Sequence, residues 1–215
     1  MHVALVRALA AVTVMLCIAA GPTSADERVK VVLETSLGRV VLAIDTQKAP
    51  EAASYFLGYV DRGQYDGAHL YRSASLDKQP EPQLIQGGIL LDALNSTAPI
   101  DPSQYGVSSL LPKWETTADT GLRHTRGSLS LARDLLATGH VIPELVVCLR
   151  DIPRMDATAE GSPDAAGFPV IGEVLTGMDI MDAVSHAELK GETNIAFLNG
   201  QILSKPISIS QAYRE

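Results

Sequence analysis

Tyr65-Asp66-Gly67-Ala68-His69-Leu70-Tyr71-Arg72, resumed at Leu84-Ile85-Gln86-Gly87-Gly88, is the stretch that decides the reading of this chain. It acts with a second segment, Gly121-Leu122-Arg123-His124-Thr125-Arg126-Gly127-Ser128-Leu129-Ser130-Leu131-Ala132-Arg133. Together they place one arginine, one glutamine and a strand of small residues where a single pocket can form. Working outward, positions 29–34 and 39–44 are apolar, β-branched runs separated by Ser36-Leu37-Gly38, which predicts a hairpin. Pro50 and Glu51 suit the first turn of a helix. Ala53, Phe56, Leu57 and Val60 give that helix one apolar face, and Gly63 stops it. Short strands are predicted over 69–73, 83–87, 128–132, 145–149 and 169–175, a second helix over 177–187, and a last strand over 205–210. Many short strands with two helices predict a mainly β fold, a closed antiparallel barrel of about eight strands capped by two helices.

Bulk properties narrow the function. The 215 residues are 46% hydrophobic and 20% charged, which suits one domain with a sizeable core. A formal charge of -8 argues against a nucleic-acid partner, and 5% aromatic residues argues against single-strand stacking platforms. The start reads as a leader. Arg7 precedes a mostly apolar run over 8–20, too short to span a bilayer, and Pro22 breaks it. Thr23-Ser24-Ala25 then supplies small residues before a cut at Ala25-Asp26. The expectation is a cleaved signal over 1–25, a domain over 26–215 and a periplasmic or secreted product with no stable membrane insertion. An N-terminal anchor is the alternative; a lipoprotein signal is disfavoured because Leu16, before Cys17, is not small. Cleavage leaves Cys148 alone, so no intramolecular disulfide forms and the core must hold the fold. Cys148 itself, inside Leu145-Val146-Val147-Cys148-Leu149, reads as a buried hydrophobe.

The order of these segments has a family. With Ala49-Pro50-Glu51 and Val170-Ile171-Gly172-Glu173-Val174 followed by Gly177-Met178-Asp179, the chain resembles the cyclophilin-type peptidyl-prolyl isomerases, especially exported bacterial ones, from about Val29 to about Ala187. The resemblance implies a cyclophilin-like barrel that speeds rotation of X-Pro bonds. That rotation has a barrier of about 18–20 kcal/mol and takes roughly 10–100 s uncatalysed. No covalent bond changes, so no cofactor and no metal are needed. As the amide twists, the prolyl nitrogen gains a lone pair, and a donor aimed at it favours the twisted state over the planar ones. By resemblance Arg72 is that donor, a permanently charged fork of N–H groups. Gln86 matches the glutamine that binds the peptide backbone and orients the arginine. Ala132 and Arg133 match the strand edge along which the peptide lies. His124 also matches a family position, but reads as structural.

The apolar half of the site departs from the family. Gln83 stands where a phenylalanine is usual, and Leu84 replaces a methionine. The family's Gln-Phe-Phe strand appears as Glu144-Leu145-Val146, so Val146 takes the place of the aromatic floor of the proline pocket. That exchange removes roughly 1–3 kcal/mol of apolar contact. No aromatic occurs between Leu149 and Gly167, and Phe168 stands at a histidine or tyrosine position. The loop over 73–82 reads as an insertion and that over 154–167 as a second long loop. Glu144, if near Arg72, would pair with it and divert its donors. The candidate site is therefore Arg72 as catalytic donor, with Gln86, Leu84, Gln83, Ala132, Arg133, Glu144, Val146 and Phe168 around the substrate. The expected protein is an exported monomeric isomerase of weakened activity, acting on proline-containing unfolded or flexible polypeptides. The alternative is an impaired barrel that binds proline segments as a module or chaperone.

Overall fold

A computed structural model describes residues 28–76, 79–95, 110–136 and 138–215. The leader read over 1–25 lies outside the described residues, as does part of the insertion read over 73–82. Eight strands form: β1 (Val29–Thr35), β2 (Gly38–Ile44), β3 (His69–Ala74), β4 (Leu84–Gly88), β5 (Ser128–Arg133), β6 (Val141–Cys148), β7 (Val170–Thr176) and β8 (Ile202–Arg214). They close into a barrel in the order β1-β2-β7-β5-β6-β4-β3-β8, each neighbour antiparallel. Closure leaves no open sheet edge.

Among the described residues three α-helices accompany the barrel rather than two. The helix α1 (Pro50–Asp61) buries Ala52, Ala53, Phe56, Leu57, Tyr59 and Val60 and packs against β6 and β8. Each large side chain so buried contributes about 1.5–3 kcal/mol. The third helix, α3 (Met178–Ser185), buries Met181 and Val184 and packs against β2, β3 and β4. Between them lies α2 (Thr117–Thr120), a single turn. It exists through its cap: Thr116 and Asp119 exchange hydrogen bonds, 2.9 Å from Thr116 N to Oδ2 and 3.3 Å from Asp119 N to Oγ1. So short a segment carries no apolar periodicity to predict it.

Two strands are longer than their patterns suggest. β6 begins at Val141, and Pro143 lies within it. β8 runs from Ile202 to Arg214, beyond the predicted 205–210, and tolerates Pro206 within it. The reason is a bulge: Leu70 pairs with Ile207 while Arg72 pairs with Ile202, so Pro206 falls where the ladder is already broken. Against β8 the excess residues, 203–206, lie on β8; against β4 the bulge falls on β3, where Leu70 pairs with Gly87 and Arg72 with Gln86. Tyr71 is the extra residue, and the normal alternation of sides is lost across it. Leu70 belongs to the barrel core, while both Tyr71 and Arg72 reach Gln86. Gly87 is needed here because a Cβ would lie 2.6 Å from Leu70 Cα.

Candidate active site

The bulge in β3 builds the polar half of the site. Arg72 is half-buried and donates from Nη1 to Gln86 Oε1 at 2.7 Å. Its Nε and Nη2 both donate to Gln201 Oε1, at 3.0 and 2.7 Å. Gln201, just before β8, is fixed in turn by its Nε2, which donates to Phe197 O at 2.7 Å. Three of the five guanidinium N–H groups are thus engaged by neutral amides, which leaves two to meet a peptide. Burial lowers the Arg72 pKa from its ordinary value, and the group stays a cation.

Glu144 does not sit where the sequence placed it. It is fully buried, and its oxygens accept from the Tyr71 hydroxyl and, at 2.9 Å, from Leu90 N. The expected pairing with Arg72 is corrected: the short segment after β4 and the Tyr71 ring enclose the carboxylate, while Arg72 turns to Gln86 and Gln201. A peptide at the surface meets other residues. Burial raises the Glu144 pKa to about 7, against the lowering effect of its hydrogen bonds. Gly88 is required beside it, since a Cβ there would overlap Oε1.

The apolar half lies on β4, β5 and β6. Leu84, Val146 and Ala132 share one cluster with Ala74, Cys148, Ile152 and Met155, and Phe168 packs at its margin. These walls are well covered: Leu84 is 2% exposed, Val146 3% and Ala132 7%. Part of the cover comes from the inserted loop, whose Leu76 is half-buried against the same cluster. Gln83, at 5% exposure, is not itself an apolar wall. Its Oε1 accepts from Leu76 N at 2.7 Å, and Arg154 Nη1 donates to Leu76 O at 3.1 Å. A glutamine in place of an aromatic therefore holds a leucine over the patch.

Arg133 does more than line a strand edge. Its side chain is 5% exposed and ties three segments together. Nε donates to Gly139 O at 2.8 Å, Nη1 to Gly167 O at 2.8 Å, and the fork pairs with Asp164 at 2.9 and 2.7 Å. Its Cζ lies 4.8 Å from the Trp114 ring centroid and 5.8 Å from that of Phe168. The sequence reading gave no role in the site to Trp114, Gln201, Leu76 or Tyr71; the first three lie in connecting segments without a motif, and Tyr71, though inside the opening stretch, is turned to Gln86 by the bulge.

His124 has a Ser-His-Asp geometry without an accessible nucleophile. Nδ1 lies 2.7 Å from Asp156 Oδ1 and Nε2 3.1 Å from Ser130 Oγ, but Ser130 is 0% exposed and donates to Pro169 O at 2.7 Å. The trio joins β5 to the loops before and after it. Cys148 is buried, and burial raises its thiol pKa to about 12. Among the described residues no group of three or more His, Cys, Asp or Glu side chains is arranged to hold a metal, and no helix is long and apolar enough to cross a membrane.

The chain and its barrel match known proteins. The family described as cyclophilin type peptidyl-prolyl cis-trans isomerase/CLD matches residues 30–212. The chain is 30% identical over 208 residues to peptidyl-prolyl cis-trans isomerase A of Dickeya dadantii, covering 96% of each. It is 29% identical over 152 residues to peptidyl-prolyl cis-trans isomerase cyp18 of Streptomyces antibioticus, covering 71% of this chain and 80% of that one. In structure it is similar to a cyclophilin-type peptidyl-prolyl cis-trans isomerase of Cryptosporidium parvum, with a TM-score of 0.56 at 15% identity, over 87% of this chain and 98% of the other. That likeness speaks for the barrel alone. The chain belongs to the cyclophilin-type peptidyl-prolyl cis-trans isomerases, enzymes that act on proline-containing polypeptides.

Proposed function

We propose that the protein is an exported isomerase in which Arg72 donates to the prolyl nitrogen of the twisting amide, beside a remodelled apolar patch of Leu84, Ala132 and Val146. The observation that carries this is the setting of Arg72. It is held by two neutral amides, so its charge is aimed but not cancelled. Preorganised donors act where charge develops, and a barrier lowered by about 5 kcal/mol gives a few thousandfold in rate. Gln86 has a second role as a backbone partner of the peptide, and Phe168 and Leu76 flank the proline ring.

Activity is expected to be lower than in relatives that keep the aromatic floor, because Val146 offers less surface to the ring. The test is exchange NMR on a proline tetrapeptide with Arg72→Ala beside the wild type. Catalysed exchange lost in the variant supports the reading; a wild-type rate equal to solvent overturns it.

A second reading, a barrel that holds proline segments without turning them, is favoured by the close cover over Leu84 and Val146. Saturable peptide binding with no faster exchange distinguishes it. The leader argues for export: N-terminal sequencing of the exported product is expected to begin at Asp26, and a retained Met1 overturns that part. Elution as a monomer in gel filtration is the expected assembly state.

A further inference from the structure

The hydrogen bonds around Gln86 have a direction. A guanidinium has no acceptor, so the Gln86 atom that meets Arg72 Nη1 must be the carbonyl Oε1. Gln86 Nε2 then donates to the Tyr71 hydroxyl oxygen at 3.2 Å. A phenol carries one proton, and with Gln86 donating to its oxygen that proton goes to Glu144 Oε2. The other oxygen, Oε1, accepts from Leu90 N at 2.9 Å, and the Ile89 N–H also bonds the carboxylate. Four side chains from β3, β4 and β6 are thereby poled one way, from the guanidinium to the carboxylate.

Resting on the reading of Arg72 as the catalytic donor, we propose that Glu144 is a positioning residue, whose ionised carboxylate sets the proton of Tyr71, the amide of Gln86 and through them the aim of Arg72. Protonation of Oε2 reverses the chain. The Tyr71 proton then turns to Gln86, the amide must present its NH2 to the guanidinium, and two donors meet. The groups that face Glu144 are Tyr71 on β3, Tyr55 on α1, Tyr65 after α1, and the amides of the segment following β4. No basic side chain pairs with it among the described residues. Burial places its titration near neutral pH, at about 7, so both states are populated in the ordinary working range.

Glu144→Gln imitates the protonated acid. Its single carbonyl oxygen serves the two backbone N–H groups, and its NH2 faces Tyr71. The test is the pH profile of kcat/KM from pH 6 to 8.5 for wild type, Glu144→Gln and Tyr71→Phe. Wild-type kcat/KM is expected to fall about tenfold from pH 8 to pH 6, the ratio set by a group titrating at about 7. Both variants are expected to be low and flat, near the wild-type value at pH 6. A merely structural acid gives variants that are less active but keep the wild-type step. An independent readout is the Arg72 Nε–H resonance in 15N NMR, expected to shift with pH in wild type and to stand still in Glu144→Gln. A flat wild-type profile, or a step that survives in Glu144→Gln, overturns the proposal. If wild type shows no turnover at all, the assignment of Arg72 fails instead, and the resonance titration still decides the coupling.

Discussion

Gln201 offers the sharpest test of the role proposed for Arg72. The Gln201 Oε1 atom accepts from both Nε and Nη2 of Arg72, at 3.0 and 2.7 Å, and Phe197 O holds the amide from behind. Gln201→Leu keeps the bulk and removes the one acceptor that takes both hydrogen bonds. Hydrogen bonds to charged groups contribute about 1.5–3 kcal/mol each when buried. Arg72 is half-buried, so water replaces part of the loss, and about 1.5–3 kcal/mol for the pair is the reasonable total. If that energy holds the guanidinium on the prolyl nitrogen, kcat/KM falls about 10- to 150-fold, mostly in kcat. Gln201→Glu separates aim from charge. It keeps an acceptor in place but pairs the guanidinium with a carboxylate, so the site stays ordered while the field at the substrate is cancelled. The expected outcome is thermal stability equal to or above wild type with kcat/KM still down at least tenfold. The assay is protease-coupled isomerisation of a proline tetrapeptide, with Arg72→Ala as the floor. A Gln201→Glu enzyme as active as wild type refutes the claim that neutral partners matter; a Gln201→Leu enzyme within twofold refutes the positioning argument.

Other outcomes follow from the same geometry. Arg133→Ala strands Asp164, Gly139 O and Gly167 O and opens the stack between Trp114 and Phe168, so urea unfolding should show a loss of about 2–4 kcal/mol; the half-exposed Asp164 supplies little of it, and Arg133→Lys should recover less than half. Glu144 makes stability depend on pH with a definite sign. Its folded pKa is raised from 4.5 to about 7, so its contribution is fully present below about 4.5 and is lost as pH rises through about 7. That rise corresponds to about 3 kcal/mol, and the wild type minus Glu144→Gln difference in urea midpoint between pH 4.5 and pH 8 should show it. Leu76→Ala should raise KM severalfold with little change in kcat, because it thins the cover over Leu84 and Val146 without touching Arg72; an unchanged KM in the coupled assay removes Leu76 from the site.

The barrel was legible because its signals are local. The hairpin turn, the proline at the start of α1 and the apolar face of Ala53, Phe56, Leu57 and Val60 each need only a few neighbouring residues, and all four side chains are buried. What escaped needs partners far away in sequence. β8 reads as a strand over 205–210 only, because the pairing of Ile202 with Arg72, beyond residues 203–206 that this ladder leaves unpaired, leaves no trace in the local pattern. α2 is the exception: its capping box joins Thr116 to Asp119 locally, but a single turn carries no apolar periodicity to reveal it. Gln201 lies 129 residues from the arginine it holds and follows no pattern. Glu144 was read on the right strand, but a strand pattern does not say which loop will cover it. The segment at Leu90 does, and it turns a supposed substrate contact into a buried acid.

Gln83 and the insertion are one change rather than two. Read in sequence, a lost aromatic and an added loop look like separate erosions of the proline pocket. In the fold, the side chain of Gln83 accepts the backbone N–H of Leu76 and so fastens a loop that lays a leucine against the apolar patch. An aromatic at 83 has no acceptor for that N–H, and without Gln83 the bond from Arg154 to Leu76 O is left to hold the leucine. The two should therefore be non-additive. Gln83→Phe alone should cost stability, because Leu76 N loses a partner in a partly buried place. Gln83→Phe with residues 76–82 deleted to a tight turn should recover it and lower KM for the tetrapeptide, since a ring then faces the substrate directly. Thermal melts and the coupled assay on the two single variants and the double close the cycle. Additive effects, with no recovery in the double variant, would show that Leu76 and Gln83 are neighbours without being coupled.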